Sequence, residues 1–335
     1  VNAPYYQDDT VTLWHGDSLD VLSDLEAGSV DCCVTSPPYF GLRDYGEAGQ
    51  YGLEASPAEY VENLSAVFAQ VHRILADDGT LWLNLGDTYA AKQRGSDAGW
   101  DKSRLNNPGR VQKAQFASLR EGRHTAFDRP YKNLLGMPWR IAFALQDLGW
   151  ILRSEVIWSK TNCMPESVKD RVANRHEHLF MLVKSDHYWF DLDAIREPHN
   201  ETTLNRAKPG RAAPGKSRRE GHGIPPGNRP HTARLDQINH PEGRNPGDVW
   251  SLPTQPFPEG HFAVMPLQLA ERCIAAGCKQ GGVVLDPFSG SGTTGLAAAK
   301  HGRRYVGIDL NAEYLDMSLK TRLGQRPLID GGDVA

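Results

Sequence analysis

Residues 283 to 309 read as strand, glycine-rich turn, helix and strand, and their place near the end of a 335-residue chain constrains the fold more than any other feature. The apolar run Val283-Val284-Leu285 leads into Asp286-Pro287-Phe288-Ser289-Gly290-Ser291-Gly292-Thr293-Thr294-Gly295. A helical stretch from Thr293 to His301 follows, and the strand Arg304 to Ile308 ends in Asp309. Gly290, Gly292 and Gly295 satisfy the GxGxxG spacing, with an acid closing the next strand where a ribose hydroxyl would lie. A nicotinamide-dinucleotide domain fails on position, because under fifty residues follow Gly290, too few for the several βα units such a domain needs after its turn. The strands that complete this sheet must come from the start of the chain. A mainly parallel, doubly wound α/β sheet is therefore expected, circularly permuted so that its spatially first turn comes last in sequence.

The start of the chain supplies such strands. Val11 to His15 alternates and ends in Gly16-Asp17, a strand delivering a carboxylate to its C-terminal edge. Leu19, Leu22 and Leu25 lie at helical spacing before Gly28, and Val30 to Val34 is the next strand, completing a βαβ unit. Thr35-Ser36-Pro37-Pro38-Tyr39 follows. Two prolines cannot donate to a sheet ladder, so the strand ends in a rigid extended corner. The corner offers the Ser36 hydroxyl, the Pro37 carbonyl with no competing amide hydrogen from Pro38, and the ring of Tyr39. Two acceptors beside a stacking face suit the grip of a planar ring through its exocyclic amino group. Such an amine is a poor nucleophile because its lone pair is delocalised. Drawing both N–H bonds toward Ser36 and Pro37 favours the pyramidal nitrogen, which can then attack a positioned electrophilic methyl group.

The remaining elements frame this corner. Residues 40 to 55 form a Gly- and Tyr-rich loop able to close over a bound base. Ser56, Pro57 and Glu59 start a helix whose apolar face is Val61, Leu64, Phe68, Val71 and Leu75, with Gly79 as its stop. Thr80 to Leu85 is a strand ending in Gly86-Asp87-Thr88-Tyr89; Met137 to Leu148 is an amphipathic helix; Trp150 to Trp158 and His178 to Lys184 are strands. Tyr188-Trp189-Phe190 reads as the second arm of an edge hairpin, and Pro266 to Ala276 as a helix. The net charge is −4, yet residues 92 to 130 carry nine Lys/Arg against four Asp/Glu, and residues 199 to 247 again nine against four. Two basic stretches on an acidic body are the footprint of a phosphate-backbone binder. Seven prolines and seven glycines in 199 to 247 exclude a buried core there and mark a linker or recognition region. The five cysteines show no CxxC pairing, so neither disulfides nor a metal site is expected; without a signal or spanning stretch, a cytoplasmic protein is the default.

At these residues the chain resembles the amino-group DNA methyltransferases, which make N4-methylcytosine or N6-methyladenine and carry a Ser/Asp/Asn-Pro-Pro-Tyr/Phe motif. The order of tetrapeptide, recognition region and Asp-Pro-Phe-x-Gly-x-Gly-Thr-Thr turn is similar to the permuted β-type, over nearly the whole chain. The resemblance implies a Rossmann-like S-adenosylmethionine-dependent fold. It divides the chain into a catalytic part, 1–198, with a basic insertion at 92–130; a target-recognition or linker region, 199–247; and a cofactor-binding part, 248–335. Ser36, Pro37, Pro38 and Tyr39 are implied to hold a base flipped from duplex DNA. Asp286, Phe288, Ser289, Gly290, Ser291, Gly292, Thr293 and Thr294 are implied to wrap the methionine part of S-adenosylmethionine, with helix N-terminal amides facing its carboxylate. Thr35 is grouped with them, Asp309 with the ribose hydroxyls, and Asp17 with the adenine end; Asp17 and Asp309 could equally be strand-end caps. Serine at the first motif position is typical of the cytosine-N4 members, so N4 of cytosine is the expected target, with N6 of adenine as the alternative. C5 methylation is disfavoured, because that family places its nucleophilic cysteine in a Pro-Cys dipeptide and this chain has none. Glutamine methylation of proteins goes with Asn-Pro-Pro-Tyr and leaves the basic stretches unexplained, and a cofactor-sensing DNA binder without catalysis sits poorly with an intact tetrapeptide. A homodimer and a companion restriction endonuclease are left open as further partners.

Overall fold

Asp17 opens the fold's first helix: its carboxylate accepts from the amides of Leu19 (2.8 Å) and Asp20 (3.4 Å), capping α1 (Ser18–Asp24). A computed structural model describes residues 3–90, 129–200, 240–255 and 265–324. The basic stretches called at 92–130 and 199–247 thus fall mostly outside the described residues. The strands are β1 (Tyr6–Gln7), β2 (Val11–His15), β3 (Val30–Thr35), β4 (Leu75–Leu85), β5 (Ile151–Lys160), β6 (His176–Val183), β7 (Val249–Leu252), β8 (Val283–Asp286) and β9 (Arg304–Asp309). Helices after α1 are α2 (Pro57–Ile74), α3 (Met137–Asp147), α4 (Leu267–Gly277), α5 (Thr293–Lys300) and α6 (Ala312–Ser318), the last continuing into a π-helical turn, Leu319–Leu323.

The strands form one sheet in the order β1-β2-β9-β8-β3-β4-β6-β5-β7. β2, β9, β8, β3 and β4 are mutually parallel, β6 runs antiparallel between β4 and β5, and β7 lies parallel to β5. The strands from the end of the chain, β8 and β9, sit between β2 and β3, as the position of the glycine turn requires. The early βαβ unit therefore joins two parallel strands that are not neighbours. Five parallel strands bring their C-terminal ends to one edge, which is where an open α/β sheet holds its ligand. Asp17, Ser36, Gly86, Asp286 and Asp309 all lie there.

Packing shows why these segments fold as they do. Ser56 Oγ accepts from Glu59 N at 3.1 Å, Pro57 takes the first helical position, and Tyr60, Leu64, Val67, Phe68 and Val71 are buried along α2. That helix ends at Ile74, without reaching Gly79, and Leu75 already begins β4. The β3–β4 register jumps from Val30↔Leu75 to Cys32↔Thr80. Gly79 lies in the resulting bulge, where a Cβ would come within 2.6 Å of Leu75 and 2.9 Å of the Asp31 carbonyl. Tyr188-Trp189-Phe190 is not a strand. Trp189 N donates to Asp78 O at 2.8 Å and Phe190 stacks on Trp82, while the edge beyond β5 is occupied by β7.

Asp87, after β4, caps α3 by accepting from Gly136 N and Met137 N, both at 3.0 Å. Tyr89 bridges Leu134, and Ala90 N donates to Asn133 O at 2.8 Å, so the insertion leaves and returns at one point. Val1–Phe190 with Asp248–Ala335 make one compact unit, and Asp191–Gly247 a second. In the second, Glu197 pairs with Arg244 by a backbone bridge and an ion pair, and Asp193, His240 and Glu242 lie near one another, with Asp193 bound to Arg196. All five cysteines are free, and no helix among the described residues is long and apolar enough to cross a membrane.

Candidate active site

Strand β8 ends in a buried carboxylate that ties the glycine turn to the Pro-Pro corner. Asp286 accepts from Thr35 Oγ1 at 2.6 Å, Thr294 Oγ1 at 2.7 Å and Phe288 N at 3.1 Å. Burial pushes its carboxyl above the ordinary range in spite of these three donors. Thr35, Asp286 and Thr294 are thus committed to one another. Ser289 Oγ accepts from Tyr305 OH at 2.9 Å, and Ser291 and Thr293 both receive Arg322. Gly292 adopts φ +74°, and a Cβ there would meet Ser318 Cβ at 2.8 Å, so its missing side chain makes room for α6. Phe288 apart, these residues lie outside the lining of the pocket described next; they brace it.

That pocket is lined by Asp17, Ser18, Ser36, Pro38, Tyr45, Glu47, Gln50, Tyr51, Pro287, Phe288, Gly290, Asp309, Leu310, Asn311 and Tyr314. Asp309 accepts from Gly290 N at 2.7 Å and Asn311 N at 2.9 Å, and burial pushes its carboxyl up to about 6. It is held by the turn it serves, while Asp17 is both a helix cap and a wall residue. Phe288 meets Tyr51 edge to face at 5.4 Å. The loop 40 to 55, read from sequence as able to close over a base, places Tyr45, Glu47, Gln50 and Tyr51 in this pocket, which Ser36 and Pro38 also line. Arg43 Nη1 on the same loop is buried without a hydrogen-bond partner. Tyr-rich spacing in the loop was the signal for these residues, and it gave no direction.

The corner carries a second network. Tyr39 OH donates to Glu177 Oε2 at 2.6 Å and accepts from Asn84 Nδ2 at 2.7 Å and Ser36 Oγ at 3.1 Å. Asn84 Nδ2 also reaches Glu177 Oε2 at 2.7 Å, and Lys160 pairs with Glu177 Oε1. Gly86 admits the Tyr39 ring, since a Cβ would lie 2.6 Å from Cε2. Burial, then the Glu177 charge, raise the Tyr39 phenol well above its ordinary value, so it stays protonated. Glu177, Asn84 and Lys160 were not singled out from sequence as site residues.

A family model described as DNA methylase matches residues 30–320. The chain belongs to the N6/N4 DNA methylase family. Among DNA methylases it is 43% identical over 314 residues to the type II methyltransferase M.XycI of Xanthomonas campestris pv. cyanopsidis, covering 94% of this chain and 88% of that one. It is 39% identical to M.SmaI of Serratia marcescens, covering 93% and 90%. The PvuII DNA methyltransferase, described as cytosine-N4-specific, shares the fold at a TM-score of 0.59 and 17% identity, covering 94% of this chain and 87% of that one. A putative DNA modification methylase of Thermus thermophilus, in complex with S-adenosyl-L-methionine, shares it at 0.53 and 22%, covering 92% and 91%. This DNA methylase therefore has the Rossmann-like methyltransferase sheet that the order of its motifs implies.

Proposed function

We propose that this DNA methylase transfers a methyl group from S-adenosylmethionine to N4 of a cytosine flipped out of duplex DNA. One observation carries the reading: Ser36 and Pro38 line the same pocket as Phe288, Gly290 and Asp309, so an amine held at the corner and a ligand held by the turn share one cavity. The pocket fits the cofactor. Phe288 and Tyr51 offer an apolar wall, and Asp309 offers a carboxylate with two lone-pair positions beyond its amide partners. When bound, S-adenosylmethionine supplies an electrophilic methyl group. Ser36 and the Pro37 carbonyl hold the amino hydrogens, Tyr39 backs the base, Asp309 takes the ribose hydroxyls, and Asp17 closes the adenine end. The family's duplex DNA requires the base to leave the stack before it reaches this recess.

Serine at the motif's first position favours cytosine, and the type II names of its relatives support a companion restriction endonuclease. Methylating mixed-sequence duplex, digesting it to nucleosides and identifying the product by mass spectrometry tests the reading. N4-methylcytosine is expected; N6-methyladenine overturns the base, and C5-methylcytosine overturns the mechanism as well.

Asp309 gives the cofactor site a pH dependence. The ionised carboxylate is the form that accepts two ribose hydroxyls, and with a pKa of about 6 it is largely protonated at pH 5. S-adenosylmethionine affinity measured by calorimetry is expected to be flat from pH 7 to 8 and to fall by up to about 10-fold per unit below pH 6. Asp309→Asn should bind weakly at every pH; an unchanged wild-type affinity at pH 5 removes Asp309 from the ribose contact.

A further inference from the structure

The geometry points to Glu177 as the charged end of a relay that makes the Ser36 hydroxyl an obligate hydrogen-bond acceptor toward the target amine; this rests on the function proposed above. Donor and acceptor inventory fixes the direction. Glu177, paired with Lys160, can only accept as a carboxylate, so the 2.6 Å contact uses the single proton of Tyr39. Tyr39 oxygen must then accept from Asn84 and from Ser36. Ser36 has one proton, and it is committed to Tyr39. Both of its lone pairs are left for a ligand.

Two consequences follow for recognition. A serine hydroxyl free to rotate could donate to a carbonyl as readily as it accepts from an amine; one committed to Tyr39 favours a base edge bearing N–H and opposes one bearing O4 or O6. Hydrogen bonds in a chain also polarise one another, so the charge on Glu177 strengthens Ser36 as an acceptor through Tyr39. A neutral serine thereby gains some of the pull a carboxylate would exert at its position. The arrangement carries a cost, because Asn84 Oδ1 is buried without a partner while its Nδ2 serves Tyr39 and Glu177. A buried orphan acceptor destabilises a fold, and such a group calls for a functional explanation.

Glu177 is a positioning residue in this scheme, since it never touches the base, and the test must separate that role from packing. In single-turnover assays on duplex DNA, Glu177→Gln is expected to slow methyl transfer about 10-fold, with cofactor and DNA affinities within about twofold of wild type. Tyr39→Phe, which keeps the ring and deletes the link, is the second variant and is expected to slow transfer at least as much. The deciding measurement is Glu177→Gln in a Ser36→Ala background, where the relay has nothing left to polarise and no further loss is expected. An equal loss in that background, or a wild-type rate in folded Glu177→Gln and Tyr39→Phe, overturns the relay. A full rate in Ser36→Ala alone also overturns the relay, whereas wild-type protein that transfers no methyl group to cytosine N4 overturns the proposed function, so the two failures are distinguishable.

Discussion

Ser36→Ala is expected to lower the rate of methyl transfer on the order of 10²-fold while leaving cofactor and DNA binding nearly unchanged, the scale seen when one preorganised partner of a transition state is deleted. As the amine pyramidalises and attacks, its N–H bonds become more acidic and the Ser36 contact strengthens, so the loss falls on turnover and not on the ground state. The substitution is mild for the fold. Ser36 is half-buried at the pocket wall, and among the described residues its hydroxyl makes one hydrogen bond, to Tyr39 at 3.1 Å. Tyr39 keeps Asn84 and Glu177 when that contact goes. Transfer of labelled methyl from the cofactor in a single turnover, beside a gel-shift titration with duplex DNA, checks both halves. A folded variant that transfers at the wild-type rate would remove Ser36 from the chemistry.

The parts of this fold that were legible in sequence are those whose physics is local. Ser56-Pro57 with Glu59 starts a helix wherever it occurs, two prolines end a strand, and a strand–glycine turn–helix run near the end of the chain forces early strands into the same sheet. What stayed hidden depends on distant partners. Glu177 meets Tyr39 across 138 positions, and a lone carboxylate at the head of the apolar strand Leu179–Val183 gives no hint of which hydroxyl it will receive. β7 and β1 are too short to show a period, and they pair only because an edge is available. The packing of Ser318 against Gly292 was equally hidden, because α6 closes the turn from outside the motif. Gly79 misled for a related reason: glycine marks a helix stop and a close approach of backbone equally well, and only the register of β3 on β4 separates them.

The same distance dependence makes Asp286 a sensitive position in the fold. Its partners Thr35 and Phe288 belong to two segments far apart in sequence, and it is the shared acceptor that sets the catalytic corner against the cofactor turn. Asp286→Ala strands the Thr35 hydroxyl and the Phe288 amide in a site 4% exposed; Thr294 can still turn toward the Val34 carbonyl at 3.4 Å. Each stranded donor costs about 1–3 kcal/mol and a cavity adds to it, so a loss of roughly 3–5 kcal/mol in urea unfolding is expected, with cofactor binding weakened beyond measurement in what remains folded. Asp286→Asn should lose less, because one acceptor oxygen survives and no charge is buried. A pH series separates the two terms. Burial raises the folded-state pKa of Asp286, so the folded protein holds a proton that the unfolded chain has released, and this contribution is present in acid and lost as pH rises through the folded value. The stability of wild type relative to Asp286→Asn should therefore decline from pH 4 toward neutrality. A difference that is constant across that range would mean that the carboxylate is not desolvated as its burial implies, whereas an Asp286→Ala protein of wild-type stability would dissolve the link between corner and turn altogether.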